Sequence, residues 1–453
     1  MTSRFTIAAL SAVTVFSTLA ASTNAQSASY DRTADQHGFI IFMEEGGWCW
    51  YQDPRSIMHD GKLFIGSVKG NGSGSARVGV YDLKTKQPIG TATMRDNFQR
   101  DDHNSPVFFA RPDGSVLAVY ALHGNDKLHR YRISDPDAPL RWSEEKVFDH
   151  NNTLAERDGV TYMNLYNMSS EGKLYNFYRG FQYNPCFITS TDAGLTWGED
   201  THFIKSEVVG YQRPYVRYAG NGIDTVHVSF TDAHPRNFGN SIYYTAFRDG
   251  KYFRADGTLI KDLKQDGPLV PSEAELVYKG NGKNGIADNE SEENRAWTAA
   301  MTIDAQGHPH IGYTVHLFNE DHRFRIASWD GKQWHDRQVA FAGKCLYTAE
   351  SSYTGLISLD PKDPSIVVIS TDVDPTTGKD GGGKHEIYRA KVGLRDDVNT
   401  IEWEAVTKDS PVRNLRPMVV CDGETRVILW NRGDFKSYTD FQLDTIGLVE
   451  SVK

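Results

Sequence analysis

The sequence predicts an all-β chain: a seven-bladed β-propeller of four-stranded antiparallel blades. Three observations carry that reading. One hairpin signature recurs seven times, strand-length apolar runs replace any long amphipathic helix, and Asp-box turns punctuate the chain.

Each recurrent hairpin joins a strand of mixed polarity to an apolar, β-branched one through a Gly/Asp turn. The turns are "HDGK" at His59, "PDGS" at Pro112, "SEGK" at Ser170, "AGNGID" at Ala219, "DAQGHP" at Asp304, "DPKDP" at Asp360 and "CDGETR" at Cys421. The strands that follow look alike, as in "VLAVYAL", "LYNFYRG" and "TVHVSFTD". The interval is roughly 50 to 60 residues, with one longer gap between about 221 and 304, and four strands at such a period make a propeller blade. The gap, which contains "KGNGKNGIADNESEENR", reads as a surface insertion and not as an extra blade.

Turns toward the fourth strands agree. "STDAGLTW", Ser190 to Trp197, fits the Asp-box pattern, in which the aspartate caps its own turn through backbone N–H groups and the tryptophan packs between blades. "SWDGKQW", Ser328 to Trp334, is a degenerate copy. Asp192 is therefore structural.

The chain opens with Arg4, an apolar run to about Leu19 and small residues to Ala25, the pattern of a secretory leader cleaved after Ala25. The expectation is an exported, monomeric propeller over 26–453. No later apolar run approaches the ~20 residues of a membrane helix, so no membrane partner is expected. A net charge of −10 argues against nucleic acid, and an anionic ligand would need a locally basic site. Four widely spaced cysteines allow three pairings and fix none.

In a propeller blade the start of strand one and the end of strand two open on the same cleft. The second hairpin places His103 and Asn104 at its entry and His123 at its exit. The third places Tyr162 and Arg179, the fourth Arg213 with Asp232 and His234, and the fifth Arg295 with His316. Any one of these has a bland reading as a satisfied strand-end group; their register on adjacent blades favours a site. His150 and Asp158 in "FDHNNTLAERD" read as a solvated loop before they read as ion ligands.

A cleft rich in His, Tyr and Arg suits β-elimination from a uronic acid. A planar arginine neutralises the carboxylate, a tyrosine or histidine takes the C5 proton, and a second group protonates the departing O4. A tyrosine base would need a nearby cation to lower its pKa, a part Arg179 could fill. The scheme needs no cofactor. His103, His123, Tyr162 and Arg179 are the expected catalytic set, and Asn104, Arg213, Arg295 and His316 the expected substrate contacts.

"GGWCWYQDPRSI", "DDHNSPVF", "GVTYMNLY", "LYNFYRG", "STDAGLTW" and "QRPYVRY" together resemble the BNR-repeat ulvan lyases, most densely between Asp101 and His234. The resemblance implies a secreted seven-bladed enzyme that cuts the sulfated algal polysaccharide ulvan at a 4-linked uronate next to 3-sulfated rhamnose, leaving an unsaturated uronate. It implies cleft roles for His103, His123 and Tyr162, with Arg179 or Arg213 as neutraliser, and leaves the base as tyrosine or histidine. It also implies at most a structural divalent ion, zinc or calcium, with no ligand set assigned in this chain. Two alternatives stand beside it. A sialidase would have six blades and an early Arg-Ile-Pro motif where this chain has "DPRSI". A non-catalytic glycan-binding propeller would stack sugars on Trp48, Trp50 and Trp430.

Overall fold

The computed structural model describes residues 38–452, except 152, 156–157, 209–212, 237, 284–294, 351–354 and 383. The expected leader and its expected cleavage site lie outside the described residues. Seven antiparallel sheets account for nearly all regular structure, and their first strands are Ser56–His59, Val107–Ala110, Thr161–Met168, Val216–Gly220, Arg295–Ile303, Ile357–Leu359 and Arg413–Asp422. All seven turns expected from the sequence fall between the first and second strands of a blade. First strands of consecutive blades lie side by side round a closed ring, with blade seven against blade one.

The last blade is composite. Its first three strands are Arg413–Asp422, Thr425–Ser437 and Asp440–Ser451, and its outer strand is Ile40–Met43 from the other end of the chain, with Ile41 opposite Ile446. The periodicity holds no sign of this closure, because the N-terminal strand has no hairpin of its own.

The long gap holds no extra blade. After the third strand of blade four, Ile242–Arg248, a short hairpin (Lys251–Phe253 with Leu259–Asp262) extends the sheet edge, and Glu275–Tyr278 returns to pair with the third strand. The "KGNGKNGIADNESEENR" stretch lies mostly outside the described residues.

The core is a set of inter-blade layers. Phe64, Val78 and Val80 of blade one meet Phe108, Ala118 and Tyr120 of blade two, and Tyr175, Phe177 and Phe187 of blade three meet Tyr218 and Phe247 of blade four. Each buried valine or phenylalanine among them contributes about 1.5–3 kcal/mol, so the apolar faces of the strands hold the ring together. The Asp box behaves as expected: Asp192 Oδ1 accepts from the N–H of Leu195 and Thr196 at 3.0 and 2.9 Å, and Trp197 packs edge-on against His129 of blade two. In the degenerate copy, Asp330 accepts from Lys332 and Gln333, and Trp334 packs on Tyr244 of blade four. All four cysteines are free thiols.

Candidate active site

A cleft of about 530 Å³ opens where the first strands begin, lined by His103, His123, Tyr162, Arg179, Tyr215 and His234 among others. Its floor is the segment 48–53, which joins the closing strand of blade seven to blade one and is tied to every blade. Arg55 of blade one donates to the Cys49 carbonyl at 2.6 Å, and the Cys49 N–H donates to the carbonyl of Asp102, just ahead of blade two. Asn164 of blade three donates to the Tyr51 carbonyl, Arg217 of blade four to that of Trp50, and Arg416 of blade seven to that of Trp48. Tyr51 donates to the Thr298 carbonyl of blade five, and Gly355 before blade six has no room for a Cβ, which would lie 2.0 Å from the Trp50 ring. A stretch rich in carbonyls and aromatics thus becomes a rigid floor because buried arginines satisfy its backbone.

Ahead of the first strand of blade two, Asp102–Asn104 form one 3-10 turn capped by Asp101, whose Oδ1 accepts from the His103 N–H at 3.0 Å. The same carboxylate reaches both imidazoles: Oδ1 is 2.6 Å from His103 Nδ1 and Oδ2 is 2.8 Å from His123 Nδ1. The rings stack 4.0 Å apart at 14°, with Tyr438 edge-on to both. With each Nδ1 held by Asp101, the Nε2 atoms are left toward the cleft. Just after His123, Gly124 lies so close to Gly159 that a Cβ there would sit 2.1 Å from the Gly124 oxygen.

One aspartate between two histidines splits their behaviour. Burial would lower the His103 imidazole, yet the charges of Cys49, Asp101 and Asp102 win and raise it well above its ordinary value. Burial and the neighbouring His103 charge push His123 down to about 4. The two imidazoles hold Asp101 well below the carboxylate range despite its burial. At neutral pH the pair is one imidazolium beside one neutral ring.

Blade three supplies Tyr162 and Arg179. Tyr162 sits in a bulge of the first strand at a left-handed φ of 63°. The Arg179 guanidinium lies 4.8 Å over the Tyr162 ring, and its NH1 is 3.5 Å from Tyr215 Oη. A tyrosine base would need its phenol lowered, the part Arg179 could fill, and the surroundings of Tyr162 act the other way. Burial and then Tyr215 raise the Tyr162 phenol well above its usual range, against the pull of Arg179, so it stays protonated.

Across the cleft, Tyr215 Oη is 3.2 Å from His234 Nε2, and the Arg236 N–H donates to His234 Nδ1 at 3.1 Å. Burial, then the Arg236 and Arg179 charges, keep His234 neutral. Arg236 pairs with Glu350 at 2.5 Å.

His103, His123, Tyr162 and Arg179 are thus brought together, and the other four expected residues are not on the cleft wall. Asn104 is wholly buried and donates to Gln99 Oε1 at 3.0 Å; that oxygen accepts from the His123 N–H, so Asn104 acts behind the cleft. Arg213 turns to the Gln182 carbonyl at 2.8 Å. Arg295 and His316 face each other in register but are 2 % and 1 % exposed; Arg295 donates to the Arg236 carbonyl. Asp232 is taken by the Ser241 N–H and Tyr243 Oη. Tyr215, Arg236, Glu350 and Tyr438 were missed. Tyr215 lies two residues past Arg213, and the others sit on connections where the hairpin rule gives no signal.

Two stacking platforms are excluded as well: Trp48 and Trp430 are fully buried, while Trp50 lies in the floor. Nor is His150 on a solvated loop. It is buried, with Nδ1 2.5 Å from Asp200 and Nε2 3.0 Å from His129 Nδ1. Among the described residues, two donor sets converge closely enough for a metal: Cys49, Asp102 and His103, and Asp101, His103 and His123. Both sets include His103, whose Nδ1 is hydrogen-bonded to Asp101 at 2.6 Å, the spacing of a shared proton.

A family model described as a BNR repeat-containing family member matches residues 49–342. No curated protein matches. Among solved structures, the fold is similar to that of a PL25 ulvan lyase bound to -[GlcA(1-4)Rha3S]-, at 15 % identity over 91 % of this chain and 98 % of that one, with a TM-score of 0.63. It is also similar to polysaccharide lyase Uly1, at 11 % identity over 89 % and 90 % of the two chains, with a TM-score of 0.55. At such identities the likeness is one of fold. The family match covers well over half of the sequence, from the cleft floor through blade five, and the chain belongs to the BNR repeat-containing family.

Proposed function

We propose that this protein is a polysaccharide lyase that cleaves a sulfated, uronate-containing polysaccharide of the ulvan type by β-elimination. The observation that carries the reading is the split histidine pair on Asp101, set beside Arg179 and two protonated tyrosines. Elimination needs those three kinds of group in one cleft. The ulvan lyases of the same fold support the choice of substrate.

In this scheme the uronate carboxylate lies against Arg179 and the His103 imidazolium. Their charge acidifies C5–H and stabilises the enolate-like carbanion as it forms. Neutral His123 Nε2 takes the C5 proton; its low pKa rises toward a useful range once an anion sits beside it. The C4–O4 bond then breaks, the C5 electron pair becomes the C4=C5 double bond, and Tyr162 Oη gives its proton to O4. Neutral His234 and Tyr215 hold the opposite side of the sugar. No metal enters any step.

The test is ultraviolet absorbance over time with purified mature protein and ulvan. A rising signal from the conjugated uronate establishes the lyase. A flat trace with ulvan and with other uronate polymers, alongside retained polymer binding, would make the cleft a binding site.

A further inference from the structure

Arg416 is a buried cation that the scheme above does not use. It is 1 % exposed and sits at a left-handed φ of 53°, in a bulge of the first strand of blade seven between the paired residues Leu415 and Met418. A side chain is rarely placed in that conformation without a reason in the surroundings. The bulge turns the guanidinium inward, 5.4 Å over the Trp50 ring and 4.5 Å over Phe435. From there NH1 donates to the Trp48 carbonyl and, at 2.6 Å, to Asp102 Oδ2.

Asp102 is fully buried, and its other oxygen, Oδ1, lies 2.9 Å from His103 Nδ1 without accepting a hydrogen bond, because that N–H points to Asp101. Two consecutive buried carboxylates beside one nitrogen would ordinarily share a proton. Here each has its own cation: Asp101 has the histidine pair and Asp102 has Arg416. His103 is faced by Asp101 and Asp102 from its own turn, Cys49 from the floor, His123 across the hairpin, Tyr162 from blade three and Tyr438 from blade seven. Arg179, His234 and Glu350 stand further off in the same cleft. Among these groups Cys49, Asp101 and Asp102 favour the charged imidazole, and Arg416 is the cation bonded to Asp102.

We propose that Arg416 is a positioning residue for His103: it holds Asp102 beside the imidazole and, through the Trp48 carbonyl, locks the floor beneath it. Without that guanidinium Asp102 loses the bond that fixes it 2.9 Å from His103 Nδ1, and the imidazolium is lost at a lower pH. Only the kinetic arm of the test rests on the lyase reading.

The experiment is an NMR titration of the full mature chain with 15N-labelled histidine side chains, the His103 signal being identified by its loss in His103→Gln. Arg416→Met and Asp102→Asn should each lower the His103 titration midpoint by about one unit or more, and Arg416→Lys should stay close to the parent. The alkaline limb of turnover should move down in the same order. An unchanged His103 midpoint in Arg416→Met and Asp102→Asn overturns the proposal, whatever happens to thermal stability. If Arg416→Met does not fold, the nearly isosteric Asp102→Asn decides alone. A parent that titrates as expected but converts no uronate polymer overturns the lyase reading and leaves this one standing.

Discussion

His103 and His123 stand face to face at 4.0 Å, and a single carboxylate, Asp101, bonds to the Nδ1 of both. The two rings are the same side chain in different charge states, one cationic and one neutral. Their substitutions should therefore fail in different ways.

His123→Ala removes a neutral ring. It should cut turnover by at least a hundredfold and shift Tm by only a few degrees, because Asp101 keeps its bond to the charged His103. His103→Ala removes the cation between Asp101 and Asp102. It should abolish turnover and also cost stability, on the order of 3–5 kcal/mol, the usual result of stranding a buried charge. Paired kinetics and urea melts check this, and equal stability losses in the two variants would refute the split charge.

Tyr162→Phe keeps the ring beneath Arg179 and deletes only the hydroxyl. Turnover should fall at least a hundredfold with KM little changed, as for a group that acts on the departing O4. Activity within a few-fold of the parent would move the acid to Tyr215.

Arg179→Lys should lose most of its activity although the charge is kept, since an ammonium cannot offer a planar fork to a carboxylate or spread over the Tyr162 ring. A ladder of uronate oligosaccharides separates its effects on KM and kcat. Near-normal kinetics would take carboxylate neutralisation away from Arg179.

Stability should fall on the acid side of neutrality. His385 is fully buried, and burial followed by the nearby Arg413 charge lowers it to about 3 from 6.5. The unfolded chain takes up that proton below pH 6.5 and the native state does not, so stability drops as pH falls from 6.5 toward 3. At pH 5 the single group accounts for about 2 kcal/mol. His103, with its raised value, works in the opposite sense: its contribution is complete below 6.5 and is lost as pH rises through its folded pKa. Melting curves from pH 4 to 9 read both limbs, and His385→Leu should make the acid one shallower, with His123 and His234 still contributing to it, and leave the alkaline one unchanged.

Chelator treatment should leave turnover within about twofold of the untreated protein, because every proton and charge in the scheme belongs to a side chain. A large loss, restored by one added divalent ion, would place a metal in the reaction.

Much of the architecture is written locally. A hairpin needs only its turn residues and the alternation around them, so seven turns and the meeting of His103 with His123 could be read from one sequence. The same rule misplaced Arg295 and His316. They do face each other in register, but register says nothing of which side of the strand a side chain takes, and theirs is the interior. Arg213 was chosen where Tyr215, two residues on, holds the place at the cleft. What could not be read are the long-range partners: Asp102 meets Arg416 across 314 positions of sequence, and Glu350 arrives on a connection without strand pattern. The bulge that turns Tyr162 also escapes a rule that assumes unbroken ladders.

The outer strand of the last blade comes from the start of the chain, and the segment after it becomes the floor. During synthesis Ile40–Met43 and the floor emerge early, yet their partners in 413–451 emerge last. The Trp48 carbonyl that Arg416 caps therefore lacks that partner until the ring shuts. Activity regained during refolding should lag blade formation and coincide with circularisation, which makes turnover itself a clock for the final folding step.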